Sequence, residues 1–100
     1  MSEMYVYMVR CNDGSLYTGC TNDVSKRLSQ HQTGKGARYT RARLPVVLCY
    51  VETVPDRSYA LRREYAIKQL SREQKEALVT TYQAPYQRVA PDTLAKMDDT

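Results

Sequence analysis

The hydrophobic positions nearest the N-terminus fall into two short runs, rich in Val, Tyr and Thr, on either side of the polar segment Asn12-Asp13-Gly14. Runs of this composition favour β-strands, and Asn, Asp and Gly are the residues that tight hairpin loops prefer. The chain is therefore predicted to begin with a β-hairpin.

The length of the hairpin loop decides which side chains share a face of the sheet, because neighbouring residues of a strand point to opposite faces. A two-residue loop would place Tyr7 and Tyr17 on opposite faces. A three-residue loop that ends in a left-handed Gly14 would pair Tyr7 with Gly19 and bring both phenols to one face. The three-residue loop is favoured, since Asn-Asp suits a type I turn followed by a left-handed glycine.

A helix is predicted over residues 23–32, preceded by the capping side chains of Thr21-Asn22-Asp23. Val24, Leu28 and His31 recur at positions i, i+4 and i+7, so they form the stripe that faces the core. Arg27 lies at the margin of this stripe. It can reach past the edge of the sheet, or simply lay its stem on apolar neighbours.

The remaining pattern predicts one strand and two further helices. Residues 34–43 contain two glycines and no clean period, which indicates a mobile basic loop. Residues 46–54 are apolar on both faces through much of their length, as in a strand covered on both sides. Residues 57–70 follow Asp56 as a helix, and the capping box Ser71-Arg72-Glu73-Gln74 starts a helix that ends near residue 81.

These elements indicate one α+β domain, because 100 residues are enough for a single modest core. The predicted fold is a small three-stranded, mainly antiparallel sheet flanked by three helices, in the order β-β-α-β-α-α. Residues 1–81 form the domain. Residues 82–100 contain two prolines and little apolar periodicity, so they are expected to be a flexible tail, with possible docking through Tyr82 or Tyr86.

Charge is concentrated in one segment of the chain. Lys and Arg number 15 against 11 Asp and Glu, a formal net charge of +4. Residues 22–45 carry six of the cations and a single carboxylate, Asp23; the cations are Lys26, Arg27, Lys35, Arg38, Arg41 and Arg43. This distribution favours a polyanionic partner, with a solvated surface as the alternative. Tyr39 lies among the cations, an arrangement that suits both a phosphate backbone and an exposed base.

The three cysteines are odd in number and have no Cys-x-x-Cys spacing, which favours a reduced cytoplasm over secretion and argues against structural zinc. Neither a signal peptide nor an apolar run of membrane length is recognisable, so no membrane partner is expected.

Glu64 is the most unusual carboxylate in the sequence. On a helical wheel it projects between Ala60 and Leu61, with Ile67 close by. A carboxylate within an apolar stripe needs a cation, a hydrogen bond or a metal ion. A surface pair between Glu64 and Lys68, four residues apart, is the alternative.

Two tripeptides in the hairpin connect the chain to a known family. Tyr5-Val6-Tyr7, followed ten residues later by Tyr17-Thr18-Gly19, resembles the paired signature of the GIY-YIG nuclease family. Arg27, His31 and Glu64 follow in the order, and at about the spacings, of that family's catalytic set. The resemblance covers residues 4–81 and looks most like the small single-domain bacterial branch, which is related to the nuclease domain of structure-specific endonucleases.

The resemblance implies a metal-dependent nuclease that hydrolyses DNA phosphodiester bonds, on single-stranded or branched DNA, in repair or recombination. Glu64 would bind one Mg²⁺ or Mn²⁺ ion, and Arg27 would clamp the non-bridging phosphate oxygens. Tyr17, with Tyr7 beside it, would orient and deprotonate the water. His31 would hydrogen-bond a tyrosine or a phosphate, or relay a proton, with packing against the sheet as the alternative.

The expected nucleic-acid contacts lie around this set: Gly19, Lys35, Arg38, Tyr39, Arg41, Arg43 and Lys68. The sequence departs from the family pattern in two ways. Cys20 stands where many members have Lys or Arg, and no Asn follows Asn22. A nucleic-acid-binding module with little or no cleavage therefore stays open as an alternative, and so does a protein-interaction domain.

Overall fold

The structure is a computed structural model in which residues 3–82 are described. Within this range the elements are β1 (Met4–Arg10), β2 (Leu16–Thr21), α1 (Val24–Gln32), α2 (Arg38–Arg41), β3 (Val47–Val54), α3 (Arg57–Lys68) and α4 (Arg72–Thr81). The predicted order β-β-α-β-α-α is confirmed, with α2 as a short additional helix. The three strands form an antiparallel sheet in the order β2-β1-β3.

The hairpin adopts the three-residue loop. Tyr7 lies opposite Gly19, and Val9 lies opposite Tyr17. Gly14 has a φ of +87°, and its N–H donates to the Cys11 carbonyl at 2.9 Å, which closes the turn. The prediction that Tyr7 and Tyr17 share one face of the sheet is therefore confirmed.

The sheet is packed on both faces, and β1 supplies both cores because its side chains alternate. Met4, Val6 and Met8 pack towards α3 and α4. Tyr7 and Val9 pack on the opposite face, where α1 contributes Val24 and Leu28. Fully burying an apolar side chain of this size contributes about 1.5–3 kcal/mol, so β1 stabilises the packing on both faces of the sheet.

The other strands and helices complete the two cores. β3 contributes Leu48 to the α1 side and both Tyr50 and Val54 to the α3 side, as expected of a strand covered on both faces. From α3, Ala60 and Ile67 are fully buried.

Local hydrogen bonds fix the starts of the three long helices. The carboxylates of Asp23 and Asp56 accept backbone N–H groups at 3.0 and 2.8 Å, and Ser71 forms the predicted capping box. The helix predicted over 57–70 ends earlier, at Lys68. Its extension was wrong because Ser71 needs extended backbone to cap α4, so the chain leaves the helix before it.

The prediction of an irregular basic loop over residues 34–43 was also wrong in part. Arg38–Arg41 form the helix α2, and Thr40 is fully buried. The cause is a contact with α1, described below, which the local sequence pattern does not encode.

The predicted tail begins at the limit of the described residues. Tyr82 packs against the α3 side of the sheet, with its ring centroid 6.2 Å from that of Tyr50. The rest of the tail, residues 83–100, lies outside the described residues. In the part of the chain that is described, no helix is long and apolar enough to cross a membrane.

Candidate active site

The centre of the candidate site is a buried hydrogen bond between β1 and α1. The Tyr7 hydroxyl lies 2.8 Å from Nε2 of His31, and the exposed fractions of the two residues are 2% and 0%. His31 reaches this position because it lies on the core-facing stripe of α1. It contacts a tyrosine, which is one of the arrangements that the sequence left open.

The direction of this hydrogen bond follows from the second ring nitrogen. Nδ1 of His31 lies 2.8 Å from Oγ1 of Thr40, and the Thr40 hydroxyl donates its only proton to the Ala37 carbonyl at 2.9 Å. Oγ1 must therefore accept from Nδ1–H, which leaves Nε2 as the unprotonated nitrogen of a neutral ring. Tyr7 consequently donates its hydroxyl proton to His31.

Burial sets the protonation states of both partners. It raises the pKa of Tyr7 to about 12, against an opposing hydrogen bond from the Arg27 guanidinium. Burial, together with the positive charge of Arg27, lowers the pKa of His31 below its usual 6.5. At neutral pH the pair is thus a protonated phenol facing a neutral imidazole.

Glycine is required at two points beside this pair. A Cβ atom on Gly19 would lie 2.6 Å from the Tyr7 hydroxyl oxygen. A Cβ atom on Gly36 would lie 2.9 Å from Cγ of His31 and closer still to its Nδ1. Both distances are shorter than real Cβ contacts, so each glycine leaves the space that one member of the pair occupies.

Tyr17 lies next to the pair on the same face. Its ring is edge-on to that of His31, at a centroid distance of 5.5 Å, and is stacked on Tyr39 at 6.0 Å. The Arg43 guanidinium covers Tyr39 at 3.8 Å from the ring centroid and also binds Asp13 at 3.0 Å. Tyr17 is therefore held by a stack that leads back to the hairpin turn.

Glu64, the carboxylate of the predicted catalytic set, lies on α3. Its carboxylate binds the Lys68 ammonium at 2.7 Å, and its side chain is 18% exposed. This is the helix-surface pair that the sequence offered as an alternative. Glu64 is nevertheless largely buried, and it shares a hydrogen bond with the Cys20 thiol, whose pKa burial and this carboxylate raise to about 11.

Arg27 is half-buried beside Tyr7, and its guanidinium donates to the Gln30 side chain at 3.1 Å. Of the five residues predicted as catalytic, Tyr7, Tyr17 and His31 are in ring contact, and Arg27 donates a hydrogen bond to the Tyr7 hydroxyl. Glu64 lies on α3, where it contacts Lys68 and the Cys20 thiol.

The residues predicted to contact nucleic acid differ from one another in exposure and in their ion-pair partners. Lys35, Arg38 and Arg41 are exposed, and no carboxylate among residues 3–82 forms an ion pair with them. Arg43 and Lys68 already bind carboxylates, as described above. Gly19 is buried beneath Tyr7, and Tyr39 is 37% exposed at the rim.

Two residues of the site were missed by the sequence analysis. Thr40 fixes the tautomer of His31, and Gly36 leaves room for its ring. The local sequence pattern does not show these roles, because both residues act through a contact between the basic segment and α1.

Comparison with known proteins agrees with this geometry. A family model described as the GIY-YIG catalytic domain matches residues 3–77. The chain belongs to the GIY-YIG family, whose catalytic domain is of the nuclease type.

Its relatives define the branch within that family. A UPF0213 protein of Halobacterium salinarum is 55% identical over 74 residues, which are 74% of this chain and 96% of the relative. The solution NMR structure of a UPF0213 protein from Bacillus halodurans is 45% identical with a TM-score of 0.55, and covers 88% of this chain and 94% of that one. A protein from E. faecalis, also solved by NMR, is 40% identical with a TM-score of 0.56, over 81% and 86%.

Proposed function

We propose that this chain is a nuclease that requires a divalent cation and hydrolyses the phosphodiester bonds of single-stranded or branched DNA, in repair or recombination. The observation that carries this proposal is the buried pair of Tyr7 and His31, which places a neutral proton acceptor behind a phenol. Arg27, which hydrogen-bonds that phenol, and Glu64, a largely buried carboxylate of α3, would supply the charges that phosphate hydrolysis needs.

The hydrogen bond between Tyr7 and His31 supplies a proton acceptor that the Tyr7 phenol alone does not provide. With a pKa of about 12, Tyr7 is protonated at neutral pH and cannot by itself take a proton from water. Because its hydroxyl already donates to Nε2 of His31, it can pass its own proton to His31 while its oxygen accepts one from the attacking water. The net proton acceptor is then His31, whose lowered pKa keeps it neutral and ready at pH 7.

Arg27 suits the role of a phosphate clamp. Its guanidinium can donate several hydrogen bonds in one plane to the non-bridging oxygens, and Gln30 orients it from one side. Partial burial strengthens that contact, because fewer water molecules screen the charge.

The donor set around Glu64 fits one hard divalent ion, Mg²⁺ or Mn²⁺. Within residues 3–82, no three His, Cys, Asp or Glu side chains cluster together, and Mg²⁺ commonly uses one or two carboxylates together with water and phosphate oxygens. The Lys68 ammonium neutralises this carboxylate at 2.7 Å, so Glu64 would hold the ion and Lys68 would then be available to a phosphate. When bound, such an ion neutralises phosphate charge and makes a coordinated water more acidic.

The test is cleavage of end-labelled single-stranded and flap DNA with Mg²⁺ or Mn²⁺. We expect cleavage by the wild type and a loss of at least a hundredfold in Glu64→Ala and Arg27→Ala. Arg62→Gln is the control, because Arg62 is an exposed cation of α3 whose hydrogen bond goes to Ser58. Cleavage that persists in both Glu64→Ala and Arg27→Ala comes from a contaminant and contradicts the proposal.

A second candidate function is nucleic-acid binding with little or no cleavage. The ion pair between Glu64 and Lys68 favours it, since a carboxylate neutralised in this way can serve a purely structural purpose. Salt-dependent DNA binding by the wild type without cleavage under either cation would support it. The absence of any salt-dependent affinity would instead favour a protein-interaction domain.

A further inference from the structure

A groove of about 350 Å³ opens beside Arg27, lined by residues of α1 and the segment before it, by residues at the ends of β1 and β2, and by the first residue of α3. We call it the Arg27 groove and define it by Lys26, Arg27, Gln30 and Arg57. Arg27 borders both this groove and the Tyr7 hydroxyl, so the groove adjoins the candidate active site.

The Arg27 groove carries an excess of positive charge. It is lined by three cations and one carboxylate, Asp23, which also caps α1 at 3.0 Å from the Lys26 N–H, so positive charge stays in excess. Among the described residues, no carboxylate forms an ion pair with Lys26, Arg27 or Arg57. Unneutralised cations around a concave surface attract an anion.

Helix stability does not explain where these cations lie. Lys26 is the third residue of α1 and Arg57 is the first of α3, and neither helix has an acidic residue in its first turn. The N-terminal end of a helix is the positive end of its dipole, where a cation is unfavourable. Placing Lys26 and Arg57 there raises the positive potential of the groove at some cost to the two helices.

We propose that Lys26 and Arg57 form a second phosphate site, which holds a phosphate next to the scissile one on the same nucleic-acid strand. The inference rests on the proposed function, since it takes the phosphate clamped by Arg27 to be the scissile one. The groove then fixes the direction in which the strand crosses the site.

The first test measures binding to a single-stranded oligonucleotide without divalent cations, over a range of salt concentrations. Each phosphate contact on a single strand contributes about 0.7 to the slope of log K against log salt concentration. Lys26→Gln and Arg57→Gln should each reduce the slope by about that amount. Arg62→Gln should leave it unchanged, because Arg62 lines a different groove with Tyr59 and Arg63.

Thermal unfolding separates a functional role from a structural one. Because each substitution removes a cation from a helix N-terminus, Lys26→Gln and Arg57→Gln should keep or raise the Tm while they weaken binding. A reduced slope that is accompanied by a lowered Tm in both variants would contradict the proposal.

The second test locates the phosphate. Single methylphosphonates, which remove one phosphate charge, are scanned along the oligonucleotide in binding to the wild type and to the double variant Lys26→Gln/Arg57→Gln. At one position, the loss of binding free energy from the methylphosphonate and the loss from the double substitution should be non-additive. That position should neighbour the bond that the wild type cleaves with Mg²⁺. Two results would overturn the proposal. One is that the losses in binding free energy are additive at every position. The other is that Lys26→Gln and Arg57→Gln leave the salt slope unchanged, as Arg62→Gln does. If no cleavage occurs the proposed nuclease function fails, while the binding data still decide whether the groove holds a phosphate.

Discussion

The Tyr7 hydroxyl lies 2.8 Å from Nε2 of His31, although 24 residues separate the two in sequence. This hydrogen bond joins the central strand to the helix on one face of the sheet. Because Thr40 fixes the neutral tautomer of His31, the resting pair can move a proton from the phenol to the imidazole, and the proton must return for the next turnover.

The pH dependence of cleavage should report the state of His31. Burial and the Arg27 charge lower its pKa below 6.5, so His31 is neutral and able to accept a proton above that pH. We expect the single-turnover rate to be constant near neutrality and to fall on acidification only below pH 6.5. A decline that begins above pH 6.5, with circular dichroism showing a folded chain, would contradict this assignment.

Gly19→Ala should disable the site by displacing Tyr7. The new Cβ would lie 2.6 Å from the phenol oxygen and 2.8 Å from its ring carbon Cζ. Overpacking of this kind costs about 1–3 kcal/mol, which denaturant unfolding can measure. In a Tyr7→Phe background the cost should be smaller but not zero, because only the oxygen contact is relieved. Equal costs in the two backgrounds would show that the Tyr7 hydroxyl is not what Gly19 accommodates.

Tyr39→Ala should weaken cleavage through Tyr17. Tyr39 lies between the Tyr17 ring and the Arg43 guanidinium, so its removal frees Tyr17 from one side. We expect a rate loss of roughly tenfold and a loss of stability of about 0.5–1.5 kcal/mol, with Tyr39→Phe close to wild type. If Tyr39→Ala changes DNA affinity and leaves the single-turnover rate intact, Tyr39 contacts substrate and does not position Tyr17.

Acid should weaken the contact between the hairpin and α4. The Glu76 carboxylate accepts two hydrogen bonds from Arg10, at 2.7 and 2.9 Å, which together with Arg72 lower its pKa from 4.5 to about 2. A lowered folded-state pKa stabilises the fold above pH 4.5, and this stabilisation is lost as the pH falls towards 2. Denaturant unfolding across this range should show a flatter profile for Glu76→Gln than for Glu73→Gln, an exposed carboxylate of the same helix. Identical profiles would contradict the assignment.

The features predicted correctly from sequence are those encoded locally. The Asn-Asp-Gly turn sets the hairpin register, and Asp23, Asp56 and Ser71 determine where helices start, because capping and turn chemistry act over three or four residues. Helical spacing placed His31 on the core-facing stripe, and its contact with a tyrosine was one of the options that the family resemblance offered.

The features missed depend on contacts between distant segments. The burial of Thr40 comes from its bond to His31, and without that bond residues 34–43 look like an irregular loop. The sequence left Glu64 between two interpretations, and the structure combines them: the carboxylate binds Lys68 although its side chain is only 18% exposed. A helical wheel cannot give this result, because it contains no information about the neighbouring strand.

The most direct test of the account is the single-turnover cleavage rate of Tyr7→Phe with saturating Mg²⁺. Phe keeps the ring in the core, and leaving Nε2 of His31 without its donor costs about 1–3 kcal/mol of stability. The account predicts a folded protein with unchanged DNA affinity whose rate is about 10²–10⁴-fold lower than that of the wild type. A folded Tyr7→Phe variant that cleaves at the wild-type rate would show that the pair of Tyr7 and His31 is structural and takes no part in hydrolysis.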